Sequence, residues 1–374
     1  MSTAAPSVHP TPVELQTQPE AAERSASAPV SVRPVADRAD HPAWDIYVSA
    51  AVDGSWFHTT AWKAAVQTTF GHEPIYLQAR RGEQTVGVLP LFLVRSLFGG
   101  RMLVSVPYGV YGGVVADDGA VRSALRHALM QQVGRLNVAT VDLRTMYPGF
   151  EGFESNNRYV TFRRELPDHP EDVLMWLPRK ARAAARNGRS KYGLTIEFGH
   201  GLLPVVWRLY SASMRRLASI NYPYRFFKLL VEHAPDRTLT SVVYYRRRPV
   251  GGLLTLTHGD TVMPYFVGLD LPYRFAHVSN FLYLAVMEWA VERGYRVFDF
   301  GRSRRDNPGC CNFKRFHGFE ATPLGYQRFA VPGAEPVELT PGGARFGLAR
   351  RIWPHVPLVL TRPLGAWLAR HIPG

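Results

Sequence analysis

Cysteine, acidic residues and long apolar runs are all scarce in this chain, and each scarcity excludes something. Two cysteines occur in 374 residues, and they are neighbours, Cys310 and Cys311. No disulfide framework can be built from them within one chain, so a reducing compartment, the cytoplasm, is expected. Asp and Glu number 30 against 44 Lys and Arg, giving a formal charge of +14 and a pI near 10.0. Phosphates, anionic lipid head groups or nucleic acid are the natural partners of such a surface. No stretch approaches the roughly 20 apolar residues of a transmembrane helix, so a soluble protein, or one peripheral on the inner face of the cell membrane, is expected.

Several chemistries lack their signatures. The histidines are scattered without metal-ligand spacing and Cys310-Cys311 cannot form a zinc knuckle alone, so no metal site is expected. No serine or cysteine stands in a recognisable nucleophile motif. The glycine-rich Tyr108-Gly-Val-Tyr-Gly-Gly113 lacks the strand-to-helix setting and the lysine of a phosphate loop.

What is present is enough apolar residue, 46%, for two ordinary cores. Residues 1–40, rich in Pro, Ala, Ser and Thr, are expected to be disordered and carry no apolar run of a secretory signal. A helix is predicted through Trp62, Val66 and Phe70, capped by Thr59 or Thr60 and ended by Gly71. Strands follow at Ile75 to Ala79 and Val86 to Val94, then a helix through Val121 to Val133 and a strand, Ala139 to Arg144, around Asp142. The order recurs: helical Val206 to Leu217 and Phe226 to His233, strands at Thr240 to Tyr245, Gly251 to Thr257 and Val262 to Val267, an amphipathic helix through Val278 to Trp289, and the strand Val297-Phe-Asp-Phe300. Gly87-Val-Leu matches Gly251-Gly-Leu, and Val141-Asp-Leu matches Phe298-Asp-Phe. A duplicated mixed α/β unit is predicted, with domains at 41–165 and 166–335 and a basic amphipathic tail at 336–374.

One stretch carries the chemistry. After Phe298-Asp-Phe300 the chain breaks at Gly301 into a cationic segment, read as a loop, holding Arg302, Ser303, Arg304, Arg305 and Lys314. Phe298-Asp-Phe-Gly-Arg-Ser303, followed by Phe313-Lys-x-x-x-Gly318-Phe319, resembles the signature of Fem-type (FemA/FemB-like) acyltransferases, and most narrowly the FemAB-like proteins associated with exosortase/PEP-CTERM and exopolysaccharide gene clusters. The resemblance covers about Trp56 to Ala330. It implies two tandem GNAT-like acyltransferase domains, with the substrate groove mainly on the second. It also implies transfer of an acyl or aminoacyl group to an amine of a cell-envelope or exopolysaccharide precursor.

The sequence departs from that pattern in three ways. The Arg304 to Asn312 segment is about one residue longer, Cys310-Cys311 stand where an aromatic is common, and His317 replaces a frequent tryptophan. The helical-hairpin insertion that peptidoglycan-bridge enzymes use for aminoacyl-tRNA is absent, so tRNA is not the favoured partner.

Residue roles follow from the same resemblance. Lys314 matches the lysine implicated in acyl transfer, and a fixed cation can stabilise the oxyanion of the reaction. Asp299 is expected to accept the amine's proton or to pair with Arg302 and close the turn. Arg302 is a candidate for binding a phosphate or carboxylate, and Ser303 for capping the turn or donating to the substrate. Arg179, Arg182 and Arg186 fall on one face of an alanine-rich helix that can grip the diphosphate of a nucleotide-sugar or glycan carrier. Arg216 and Tyr222 are candidates for a groove wall that binds a phosphate beside a sugar ring. The Gln/Arg-x-x-Gly-x-Gly/Ala turn of many CoA-dependent GNAT enzymes is missing, which leaves the donor, acyl-CoA or aminoacyl-tRNA, open. Two other readings stand beside this one: an acetyl-CoA-dependent N-acetyltransferase of an amino sugar, and a non-catalytic scaffold at the membrane surface. The second draws on the tail, whose tryptophans and arginines suit an anionic membrane interface; the alternative is a tail packed back on the second domain, since Pro354, Pro357 and Pro363 interrupt any long helix.

Overall fold

Val30–Pro34, inside the segment expected to lack structure, forms a strand antiparallel to Leu77–Arg81. It opens the first of two related α/β halves in the computed structural model, which describes residues 28–35, 38–96, 100–333 and 347–373. The rest of the expected disordered segment, 1–27 and 36–37, and the tail's beginning, 336–346, lie outside the described residues.

The first half builds two sheets because Pro90 cannot donate to a ladder. The single strand predicted from Val86 to Val94 is therefore two. Gln84–Leu89 pairs with Leu77–Arg81, whereas Phe92–Ser96 pairs with Gly100–Val104 in a different sheet. The helix Thr60–Phe70 begins and ends where its caps dictate: the Thr59 side chain accepts from the Trp62 N–H, and Gly71 adopts φ +72°. Gly119–Leu136 packs Val121, Leu125 and Leu129 inward.

In the second half a six-stranded sheet runs Arg163–Glu165, Val297–Asp299, Thr261–Leu269, Arg248–His258, Thr238–Tyr245, Thr195–Phe198. Helices Leu203–Arg216 and Tyr224–His233 pack on one face with Leu254, Leu256 and Phe266. Val278–Glu292 and Arg179–Arg186 pack on the other with Val250 and Leu253. The crossing of Leu203–Arg216 over the sheet is close: a Cβ on Gly268 would stand 2.1 Å from the Tyr210 nitrogen.

The duplication is visible in the pairing. Thr140–Leu143 lies between a parallel neighbour, Gly100–Val104, and an antiparallel one, Gln327–Ala330. Val297–Asp299 lies likewise between parallel Thr261–Leu269 and antiparallel Arg163–Glu165. In each case the antiparallel neighbour comes from across the domain boundary placed near residue 165, so the halves exchange strands. Arg328 stands opposite Asp142 and Arg163 opposite Asp299, the same register in both copies. One aromatic core spans the boundary, with Trp62, Phe70, Tyr108 and Tyr111 of the first half against Phe226 and Phe266 of the second.

One further element differs from expectation. The cationic segment after Gly301 holds a short strand, Ser303–Arg304, antiparallel to Tyr159–Thr161, and then a helix, Pro308–Phe316, with Asn307 accepting from the Cys310 N–H and Pro308 at the position where a helix tolerates proline. The tail helix Leu358–Ala369 packs on the body through Thr361, Gly365 and Ala369, and Arg362 stacks on the Trp207 ring.

Candidate active site

The strand that ends at Asp299 delivers a carboxylate to the boundary between the halves and buries it completely. Oδ1 accepts from the Gly301 N–H at 2.7 Å, the Tyr111 hydroxyl at 3.0 Å and the Thr161 hydroxyl at 3.3 Å. Oδ2 lies 3.4 Å from Arg163 Nε, yet it is buried with no hydrogen bond. Burial pushes the Asp299 pKa up from the usual carboxylate range, opposed by Arg163, the Gly301 N–H, Tyr111 and Lys314. The expected pairing with Arg302 does not form: Arg163, brought alongside by strand exchange, is the partner.

Asp299 lies at the floor of a cleft of about 550 Å³ at the domain boundary. Trp56, Phe57 and Tyr111 form its first-half wall, His258 and Met263 its second-half wall, and Arg122 and Arg163 are its cations. His58, hydrogen-bonded to Ser55 and the Gly113 carbonyl, is held neutral by burial with a pKa near 4. Burial also lowers His258 to about 4, and its Nδ1 is unpartnered. Both imidazoles are therefore neutral at pH 7, and Asp299 shares the lining of the cleft with the carboxylates of Asp53 and Asp260. The parallel pairing of the two strands stops at Val262 and Phe298; from Met263 onward they part at the wall of the cleft.

Lys314 does not face this cleft. Its ammonium is buried and donates to the carbonyls of Phe300 and Gly301, both at 2.8 Å, with that of Arg302 at 3.4 Å. An ammonium has three donors, and here all are directed at main-chain oxygens. The lysine holds the turn in which Gly301 adopts φ +64°, and burial lowers its pKa. In this arrangement its ammonium is held on the main chain between Asp299 and Arg302, away from the lining of the cleft. Ser303 is also buried, its hydroxyl 3.2 Å from Cys310 Sγ.

Arg302 lines a second pocket, of about 430 Å³, with Arg144, Arg158, Arg328, Asp142 and Glu154. Its guanidinium lies 4.9 Å from the Tyr159 ring centroid and 3.5 Å from the Tyr326 hydroxyl. Asp142 and Arg328 are the counterparts of Asp299 and Arg163, so the two pockets are related by the duplication. Four arginines against two carboxylates leave this one with a net charge of 4 − 2 = +2.

The other expected residues are not brought to either pocket. Arg216 donates to the Leu269 carbonyl and to Ser213. Tyr222 packs edge-on to Phe226 and Phe266. Arg179 and Arg186 are exposed on the Arg179–Arg186 helix, while Arg182 donates to Met175. Tyr111, Thr161, Arg163 and His258 were missed. Tyr111 sits in the glycine-rich stretch that fails as a phosphate loop, and Arg163 becomes visible only once strand exchange is known. Among the described residues, no three His, Cys, Asp or Glu side chains come together as a metal site requires.

Comparison with known proteins agrees with this architecture. Residues 164–315 match the family model described as an acetyltransferase (GNAT) domain. The chain is an acyltransferase of GNAT fold. The enzyme superposes on the crystal structure of FemX with a TM-score of 0.60 at 13% identity, covering 80% of this chain and 97% of that one. A tandem GNAT protein from the clavulanic acid biosynthesis pathway gives 0.51 at 12% identity, over 83% of this chain and 100% of that one. The C-terminal domain of a provisionally assigned lysylphosphatidylglycerol synthetase from Agrobacterium fabrum gives 0.50 at 12% identity, over 78% and 91%. No curated protein matches the sequence significantly.

Proposed function

We propose that the enzyme transfers an acyl or aminoacyl group to a primary amine of a cell-envelope or exopolysaccharide precursor, with Asp299 as the general base. The observation that carries this reading is Asp299 Oδ2, a buried carboxylate oxygen without a hydrogen bond at the floor of the interdomain cleft. An ammonium group bound there gives its proton to Oδ2, and the freed nitrogen lone pair attacks the acyl carbonyl carbon. The C–N bond forms as the carbonyl π pair moves to oxygen; the oxyanion then collapses, the bond to the leaving group breaks, and the leaving group takes up the second proton, which the now cationic nitrogen sheds to become the neutral amide. Arg163, partly exposed in the same cleft, is the cation placed to stabilise that oxyanion, in the role first expected of Lys314.

The arginine-lined pocket around Arg302 suits the phosphate of a nucleotide-sugar or carrier-linked glycan. The name of the Agrobacterium fabrum neighbour, a lysylphosphatidylglycerol synthetase, supports aminoacyl transfer at an envelope acceptor. The exopolysaccharide setting rests on the Phe298–Ser303 and Phe313–Phe319 signature alone. The description of the matched domain favours a second reading, acetyl-CoA-dependent acetylation of an amino sugar.

Turnover with acetyl-CoA, longer acyl-CoAs and aminoacyl-tRNA, each against amino-sugar nucleotides, separates the two readings. Release of free CoA thiol only when an amine is present supports the second. Under either, Asp299→Asn lowers kcat by about 10²–10⁴ at an unchanged melting temperature. Because burial raises the Asp299 pKa, the acid limb of kcat/KM lies above the ordinary carboxylate range in the parent and is absent in the variant. Full activity in Asp299→Asn overturns the assignment.

A further inference from the structure

The tail helix Leu358–Ala369 divides its residues sharply. Thr361, Gly365 and Ala369, at i, i+4 and i+8, are buried against the body. Gly365 lies so close that a Cβ there would stand 3.0 Å from the backbone nitrogen and oxygen of Asn221. The opposite side carries Val359, Leu360, Leu364 and Trp367 at 74, 51, 48 and 48% exposure, and Ile352 just before the helix is 53% exposed. These side chains cannot turn inward, because the tail is tied to the body at several points. Arg362 stacks on Trp207, Tyr108 donates through its hydroxyl to the Ala369 carbonyl, and the Pro373 carbonyl accepts from Arg144.

The charge around this face has one sign. No acidic residue follows Glu338, whereas Arg350, Arg351 and Arg370 of the same tail are exposed. A fixed apolar face with a tryptophan, on a tail that carries exposed arginines and no acidic residue after Glu338, complements an anionic bilayer surface: the aliphatic side chains enter the acyl boundary and the guanidinium groups meet lipid phosphates. No helix of the described residues is long and apolar enough to cross a membrane, so this contact lies in the interface plane.

We propose that the outer face of Leu358–Ala369 docks the enzyme on an anionic phospholipid surface, with Leu360, Leu364 and Trp367 as the inserting residues. The docking does not depend on the assignment of Asp299, and Asp299→Asn should bind vesicles as the parent does.

Co-sedimentation of the full chain with vesicles of phosphatidylcholine alone, or with 30% phosphatidylglycerol, tests it. The expected result is at least tenfold stronger partitioning onto the anionic vesicles. The triple substitution Leu360→Gln, Leu364→Gln, Trp367→Gln should abolish binding at an unchanged melting temperature, since all three positions are exposed. Each of Arg350→Gln and Arg351→Gln should weaken it about fivefold at low salt. Equal pelleting of parent and triple variant overturns the proposal. So does a concentration-dependent dimer in sedimentation velocity that the triple variant loses while neither form binds vesicles, because the face would then be a self-association surface.

Discussion

Lys314 and Asp299 are the two residues at which general expectation and local geometry part. A lysine in a cationic segment is ordinarily solvated, and a carboxylate in a strand ordinarily finds a close cation. Here the ammonium is buried among three carbonyls, while the carboxylate keeps one oxygen without a hydrogen bond. Lys314→Met keeps the aliphatic stem and removes the donors. It should therefore cost about 2–4 kcal/mol in urea unfolding, the range for losing charged hydrogen bonds to buried acceptors. An unchanged denaturation midpoint would show that the ammonium does not hold the Gly301 turn. The signature singles out both residues in the sequence. Where each side chain goes is not legible there, because it depends on which way each leaves a turn with φ +64°.

At the scale of elements, caps and periodicity place the helices Thr60–Phe70, Gly119–Leu136 and Val278–Glu292 within a few residues of their observed ends. Misreadings concentrate where proline acts. Pro90 divides one apparent strand between two sheets, and Pro308 starts a helix in a segment that reads as loop. The tail was open between packing on the body and facing a membrane; its helix has a buried face of small residues and an exposed face of large ones. Gly365 is the contact that fixes this orientation. Gly365→Leu should lift the helix from Asn221, costing about 1–3 kcal/mol as for other overpacked sites and opening the tail to limited proteolysis. A tail as resistant to protease as the parent's would mean that Gly365 does not set the seating.

For the whole molecule, strand exchange is the decisive feature. Each half supplies the antiparallel neighbour of the other's central Asp-bearing strand, and an aromatic core crosses the boundary. Neither half is then complete. Residues 28–165 and 166–373 expressed separately should be insoluble or molten, exposing an unpaired sheet edge and the aromatic face, and should regain structure when co-expressed. A cooperative, monomeric unfolding transition from either half alone would contradict this.

The sequence by itself determined the duplicated α/β plan, most element positions and the cationic balance of the chain. Those properties are written in local periodicity, capping and composition, which act over a few residues. Tertiary structure alone decided that Arg163 partners Asp299, that Tyr111 and Thr161 complete its hydrogen bonds, that Arg302 belongs to a separate pocket, and that Lys314 pins the turn. Those pairings join residues up to 188 positions apart. They arise because two copies of one fold share strands and a core, an arrangement that no stretch of either copy encodes on its own.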